Sequence, residues 1–202
     1  ICACLVGSEM CIRDRICEPA VFTVWRAPTD NDRYIKDKWI DFGFDKAVQN
    51  AYSAGLAERC DDHITLFADI TVAAPSRLPV IKAKVTYLFE RDGSCSVEVD
   101  AVKDMSMPYL PKFGMRFIMP EGSERTEYFG YGPMESYEDK QLAARLSLFK
   151  TTASDNFEPY VKPQENSSHY GTRYAFTGDI SGHGLFFETP VSYTHLRAHE
   201  TC

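Results

Sequence analysis

Five acids stand in the surroundings that proton-transfer chemistry favours: Asp30, Asp32, Glu127, Glu135 and Glu165. Each lies in or beside one of three stretches where carboxylates, amides and aromatic rings crowd together. The first is Trp25-Arg26-Ala27-Pro28-Thr29-Asp30-Asn31-Asp32. Pro28 fixes φ there, and Asp30 and Asn31 are residues that bond nearby backbone, so a rigid polar loop is expected. The second, Tyr128-Phe129-Gly130-Tyr131-Gly132-Pro133-Met134-Glu135-Ser136-Tyr137, interleaves glycines with rings. The third is Pro159-Tyr160-Val161-Lys162-Pro163-Gln164-Glu165-Asn166, followed by Gly171-Thr172-Arg173. Hydroxyl-rich ligands need such bidentate polar groups and ring faces, but the tightly capped loops of a large β-fold need them equally. Fastening of loops is therefore the first expectation for Glu135 and Glu165.

Metal chemistry has little support in the spacing. His195 and His199 stand at i, i+4, but a metal site requires a third ligand, and the seven cysteines form no C-x-x-C pair. The expectation is no metal ligand in this chain. The two ends also have an unusual relation. Written back into DNA, Val191-Ser192-Tyr193-Thr194-His195-Leu196-Arg197-Ala198-His199-Glu200-Thr201 gives the reverse complement of most of a coding of Cys4-Leu5-Val6-Gly7-Ser8-Glu9-Met10-Cys11-Ile12-Arg13-Asp14. Both resemble a transposase adapter of sequencing libraries. Residues 1–15 and 191–202 are thus expected to be adapter-like additions around a native stretch over 16–190. That stretch keeps Cys17, Cys60 and Cys95, which favour free thiols over a disulfide frame.

The elements that must hold these loops read as β-structure. Ile64, Leu66, Ala68, Ile70 and Val72 alternate, as do Ile81, Ala83, Val85, Tyr87 and Phe89. Asp92-Gly93 marks a hairpin turn, after which Cys95, Val97, Val99 and Ala101 share one face of the return strand. Phe113, Met115, Phe117 and Met119 alternate up to Pro120. One buried and one wet face implies antiparallel sheet, so the fold class is an all-β antiparallel sandwich, with two sheets face to face. Residues 34–55 have room for one short helix around Trp39, ending near Gly43 or Gly55. Residues 134–150 fit a helix or a strand. Residues 16–190 read as one domain fragment.

Bulk properties exclude several partners. At 202 residues and 44% hydrophobic composition a packed core is available. A net charge of −7, kept when both ends are removed, with no basic run, disfavours nucleic acid. No apolar run approaches the ~20 residues of a membrane span.

Three motifs in order carry a more specific signal: Arg26-Ala27-Pro28-Thr29-Asp30-Asn31-Asp32, then Gly130-x-Gly132-Pro133-x-Glu135-x-Tyr137, then Pro159-Tyr160-Val161-x-Pro163-Gln164-Glu165-Asn166. Their order and spacing resemble the last large domain of the glycoside hydrolase family 2 β-galactosidases, across residues 18–188. The resemblance implies a β-supersandwich, incomplete at its C-terminal end. It also implies a parent enzyme that cleaves terminal β-D-galactosides of the lactose type with retention. The two catalytic glutamates of that family lie on a TIM barrel of the same polypeptide, and no catalytic residue carries over to this chain. Arg26, Asp30, Asn31, Asp32 and Arg33 are the candidates for the substrate mouth. Gly130, Gly132, Pro133, Glu135, Tyr137, Pro163, Gln164 and Glu165 are loop-building positions. Tyr34 stands where a glycine is frequent, Lys140 where an arginine is common, and the family's active-site tryptophan is expected beyond Pro190. No cofactor is expected on this chain; Mg2+ and Na+ would bind the parent through other domains. A homo-oligomeric, cytoplasmic parent is the family habit. The rival expectations are a stand-alone carbohydrate-binding sandwich, with Trp25, Trp39, Tyr131 or Tyr137 as a stacking row, and a small glycosidase acting through Glu165.

Overall fold

The computed structural model describes residues 16–162 and 164–189, with the backbone of Leu196 and Arg197. Both end segments otherwise lie outside the described residues, as does Pro163. The expected all-β class is what is found. Twelve strands are linked with one short α-helix and two 3-10 turns among the described residues. The described residues gather into two compact units, one over Pro19–Phe117 and one beginning at Ile118.

The first unit is built on a meander. Strands β2 (Val48–Arg59), β3 (His63–Ala73), β4 (Ile81–Glu90) and β5 (Cys95–Lys103) pair in sequence order, each antiparallel to the next. The alternation expected in β3 and β4 is present: Ala68, Ile70, Val72, Ile81, Ala83 and Val85 are buried on one face. That face clusters with Phe22 and Val24 from β1 (Glu18–Thr23), and with Trp39 of α1 (Lys36–Asp41) and Phe44. Burying each large aliphatic side chain contributes about 1.5–3 kcal/mol, so this seam is the unit's main source of stability. Strand β6 (Gly114–Ile118), narrower than the Phe113–Met119 alternation suggests, pairs with β1. Phe113 stacks on Phe22 with centroids 5.6 Å apart. At the β4–β5 turn Gly93 adopts φ 88°, and Asp92 Oδ1 accepts the Ser94 N–H at 2.8 Å. The Asp-Gly reading of that turn was correct because only a residue without Cβ takes such a φ at no cost.

The short helix expected around Trp39 forms as Lys36–Asp41 and ends just before Gly43, the first of the two glycines expected to stop it. The chain then enters the twelve-residue strand β2, which the sequence did not announce. As an edge strand β2 is exposed almost throughout, and register shifts at Ala51/Ser53 and Leu56/Glu58 break any period of two. Strand β5 forms as expected, but of its supposed inward face only Val99 is half-buried, and Val97 is 41% exposed. It is the other edge of the ladder, so nothing in this sheet covers its flank.

The second unit interleaves its strands. Its sheet runs β11-β10-β7-β8, with β7 (Arg125–Gly132) and β10 (Tyr174–Gly178) inside, β8 (Arg145–Thr152) and β11 (Gly184–Glu188) at the edges. The ambiguous 134–150 region resolves as a loop leading into strand β8. The Tyr128–Gly132 segment, expected as loop, is strand: Thr126, Tyr128, Gly130 and Gly132 alternate inward. Two of those inward positions are glycines, which carry no hydrophobic signal. A two-residue pair, β9 (Ser168–His169) with β12 (Leu196–Arg197), completes the described backbone.

Candidate functional site

In the first unit the Arg26–Tyr34 segment leaves β1 and closes into a 3-10 turn over Asp30–Tyr34, with Thr29 as its N-cap. Asp32 is the knot. Its Oδ2 accepts from the Thr29 N–H at 2.7 Å and the Thr29 hydroxyl at 2.9 Å. Arg26 grips the same carboxylate with both Nη atoms, at 2.5 and 3.1 Å, and donates from Nε to the Pro111 carbonyl at 3.0 Å. The guanidinium also lies 5.5 Å from the ring centre of Trp39, whose indole N–H donates to the Tyr109 carbonyl at 2.8 Å. Burial opposes ionisation of Asp32, but the bonds from Arg26 and Thr29 outweigh it and hold its carboxyl below the usual range. Of the five mouth candidates, then, Arg26 and Asp32 are turned into the fold. Asp30, Asn31 and Arg33 form the exposed rim, with the Arg33 guanidinium 4.5 Å over the ring of an 80% exposed Tyr34.

In the second unit the loop motifs converge on Glu135. Its side chain is 3% exposed, and Oε1 accepts from Lys140 Nζ at 2.7 Å and from the Tyr160 hydroxyl. Oε2 accepts the Ser167 N–H at 3.3 Å. The β7–β8 loop, which carries Glu135 and Lys140, is thereby tied to the β8–β9 loop, which carries Tyr160 and Ser167, through one carboxylate. The hydrogen bond to Glu135 raises the Lys140 ammonium's pKa, so Lys140 stays charged. Tyr137 reaches across to donate to the Glu165 carbonyl at 3.2 Å, and Asn166 donates to the Gln164 carbonyl at 3.3 Å. A Cβ on Gly132 would sit 2.3 Å from the Tyr128 hydroxyl oxygen and 2.9 Å from Phe149; the close packing explains that glycine. Gly130 lies against Thr172, and the Gly132–Pro133 peptide is cis.

Sequence reasoning missed the buried polar centre behind these loops. His169 is 1% exposed, stacks on Tyr128 at 4.1 Å and lies 3.2 Å from Asn156 Oδ1 through Nε2. Burial lowers its pKa to about 4, so it is neutral at physiological pH. A histidine inside Ser-Ser-His-Tyr-Gly, flanked by small residues, was the available signal. The proposed stacking row is not a row. Trp39 is buried, and Trp25, Tyr131 and Tyr137 are half-buried. The β2–β3 hairpin also brings Glu58, Cys60 and His63 together, a group that the sequence reading did not single out. Two strands must pair before those residues meet, which spacing along the chain does not reveal. A thiol and an imidazole do not suit Mg2+, which demands oxygen donors in octahedral array. The Mg2+ that the family resemblance implies therefore does not fit this group.

The family of the beta galactosidase small chain matches residues 5–200. The chain belongs to the β-galactosidase small-chain family. Among its curated relatives, a protein of Actinobacillus pleuropneumoniae named beta-galactosidase is 42% identical over 157 residues, covering 78% of this chain and 16% of the relative. A beta-galactosidase of Staphylococcus xylosus is 36% identical over 77% of this chain and 16% of its own length. One of Streptococcus thermophilus is 32% identical over 80% and 16% respectively. This small-chain segment thus spans about a sixth of the curated relatives it matches.

Proposed function

We propose that this chain is the wall of an active-site mouth in a retaining β-galactosidase acting on terminal β-D-galactosides. In this reading both catalytic glutamates sit on a TIM barrel of the same polypeptide, and the Asp30–Arg33 rim faces the substrate. The carrying observation is the division of labour in the Arg26–Tyr34 segment. Arg26 and Asp32 are consumed in a rigid bidentate knot, which leaves the tip exposed and held in a defined place. Preorganised polar rims of this kind orient a sugar at low entropic cost. Glu135 is committed to structure in this reading, since both its oxygens are occupied by Lys140, Tyr160 and Ser167. Mg2+ and Na+ would act in the barrel, within a homo-oligomeric, cytoplasmic enzyme.

The test has two arms. The purified chain is assayed on a chromogenic β-galactoside, where no turnover above background is expected. A barrel-containing enzyme carrying this segment is then compared with its Asn31→Ala form. A rise in KM of about tenfold, as loss of a polar sugar contact would give, supports the mouth role. Unchanged kinetics, or turnover by the isolated chain, overturns it.

A further inference from the structure

At the tip of the β2–β3 hairpin three donors of different chemistry converge. Glu58 is the penultimate residue of β2, Cys60 follows the strand, and His63 opens β3. The turn is closed by the Cys60 N–H donating to the His63 carbonyl at 3.0 Å, so the backbone fixes their spacing. Cys60 Sγ lies 3.3 Å from Glu58 Oε1, and His63 Nε2 lies 3.6 Å from Glu58 Oε2. All three ligand atoms fall within 4.8 Å of one another. Zinc bonds of about 2.3 Å to sulfur and about 2.0–2.2 Å to nitrogen or oxygen give tetrahedral edges of about 3.4–3.6 Å. The two contacts to the Glu58 carboxylate are already of that length, and the 4.8 Å limit on the remaining spacing leaves a side-chain rotation to close the set.

We propose that Glu58, Cys60 and His63 form a three-ligand zinc(II) site, with its fourth position left to water. The donor set selects for zinc: thiolate and imidazole suit borderline-soft ions and are poor partners for Mg2+ or Ca2+. Before binding, the Cys60 thiol donates to the Glu58 carboxylate. Binding replaces that proton with the metal, so zinc uptake releases protons and weakens as pH falls. The site is separate from the Arg26–Tyr34 loop in sequence and needs no contribution from the proposed mouth. Its effect is to clamp the end of an edge hairpin, where two register shifts loosen the pairing.

Titration of the full chain with cobalt(II) reads the site directly. One equivalent is expected to give a thiolate-to-cobalt charge-transfer band in the near ultraviolet and tetrahedral bands in the visible, both removed by zinc(II) and not by excess Mg2+. Cys60→Ser should abolish them, and His63→Asn or Glu58→Gln should weaken binding about tenfold or more. A chain in which Cys2, Cys4, Cys11, Cys17, Cys95 and Cys202 are all serine should retain the bands, which separates this site from adventitious thiols. Far-UV circular dichroism verifies that each variant is folded. Bands that persist in folded Cys60→Ser, or vanish in the six-serine chain, overturn the assignment.

Discussion

Asp32, Glu135 and His169 show three ways a titratable residue can serve shape. Asp32 anchors the rim loop through four hydrogen bonds, two of them from Arg26. Asp32→Asn should cost about 1–3 kcal/mol in urea denaturation, because a charge-assisted fork is replaced by weaker amide contacts. Its lowered pKa makes this an acid-sensitive contribution. The contribution is present above the unfolded value of 3.8 and is lost as pH falls through the folded one. For His169 the sign is found in the same way. The unfolded residue near 6.5 binds protons that the folded residue, at about 4, refuses. Stability therefore falls as pH drops from about 6.5 towards about 4, by up to about 3 kcal/mol. His169→Gln should flatten that part of a pH–stability profile; an unaltered slope would show that other groups cause it. For Glu135→Gln, thermal denaturation should show a loss of about 1–3 kcal/mol, since one of the two acceptor oxygens becomes an NH2 donor facing Lys140 or the Ser167 N–H.

Strands were legible where one face is buried and the other wet. β3 and β4 meet that condition, and so their alternation could be read directly. β2 escaped notice because an edge strand with two bulges has no buried face to impose a period. β7 escaped for the opposite reason, since glycines do part of its inward packing. The loops were legible as motifs, but not their wiring. That Arg26 would also be held by the Pro111 carbonyl, or that Tyr160 and Ser167 would meet at Glu135, depends on contacts from residues far along the chain. Gly132→Ala tests the β7 reading. A methyl group pressed against Tyr128 and Phe149 should destabilise the protein by about 1–3 kcal/mol, whereas an exposed loop glycine would tolerate it. The free edges make a further prediction. Val97→Lys on β5 should reduce light scattering on concentration without lowering the melting temperature, because a charged edge discourages intermolecular pairing.

Across the whole chain the two units differ in how far apart their pairing partners lie in sequence. The first pairs β2 to β5 strictly between neighbours. In the second, β7 is flanked by β8 and by β10, so Arg125 is matched to Gly178 across the intervening loops. A growing polypeptide therefore meets two different schedules as it leaves the ribosome. The meander can zip hairpin by hairpin, each strand finding a partner that has just emerged. The central strand β7 must wait, one edge unsatisfied, until residues 174–178 have been translated. A nascent chain halted near residue 160 should accordingly protect the first unit from protease while leaving the segment after Ile118 open to cleavage.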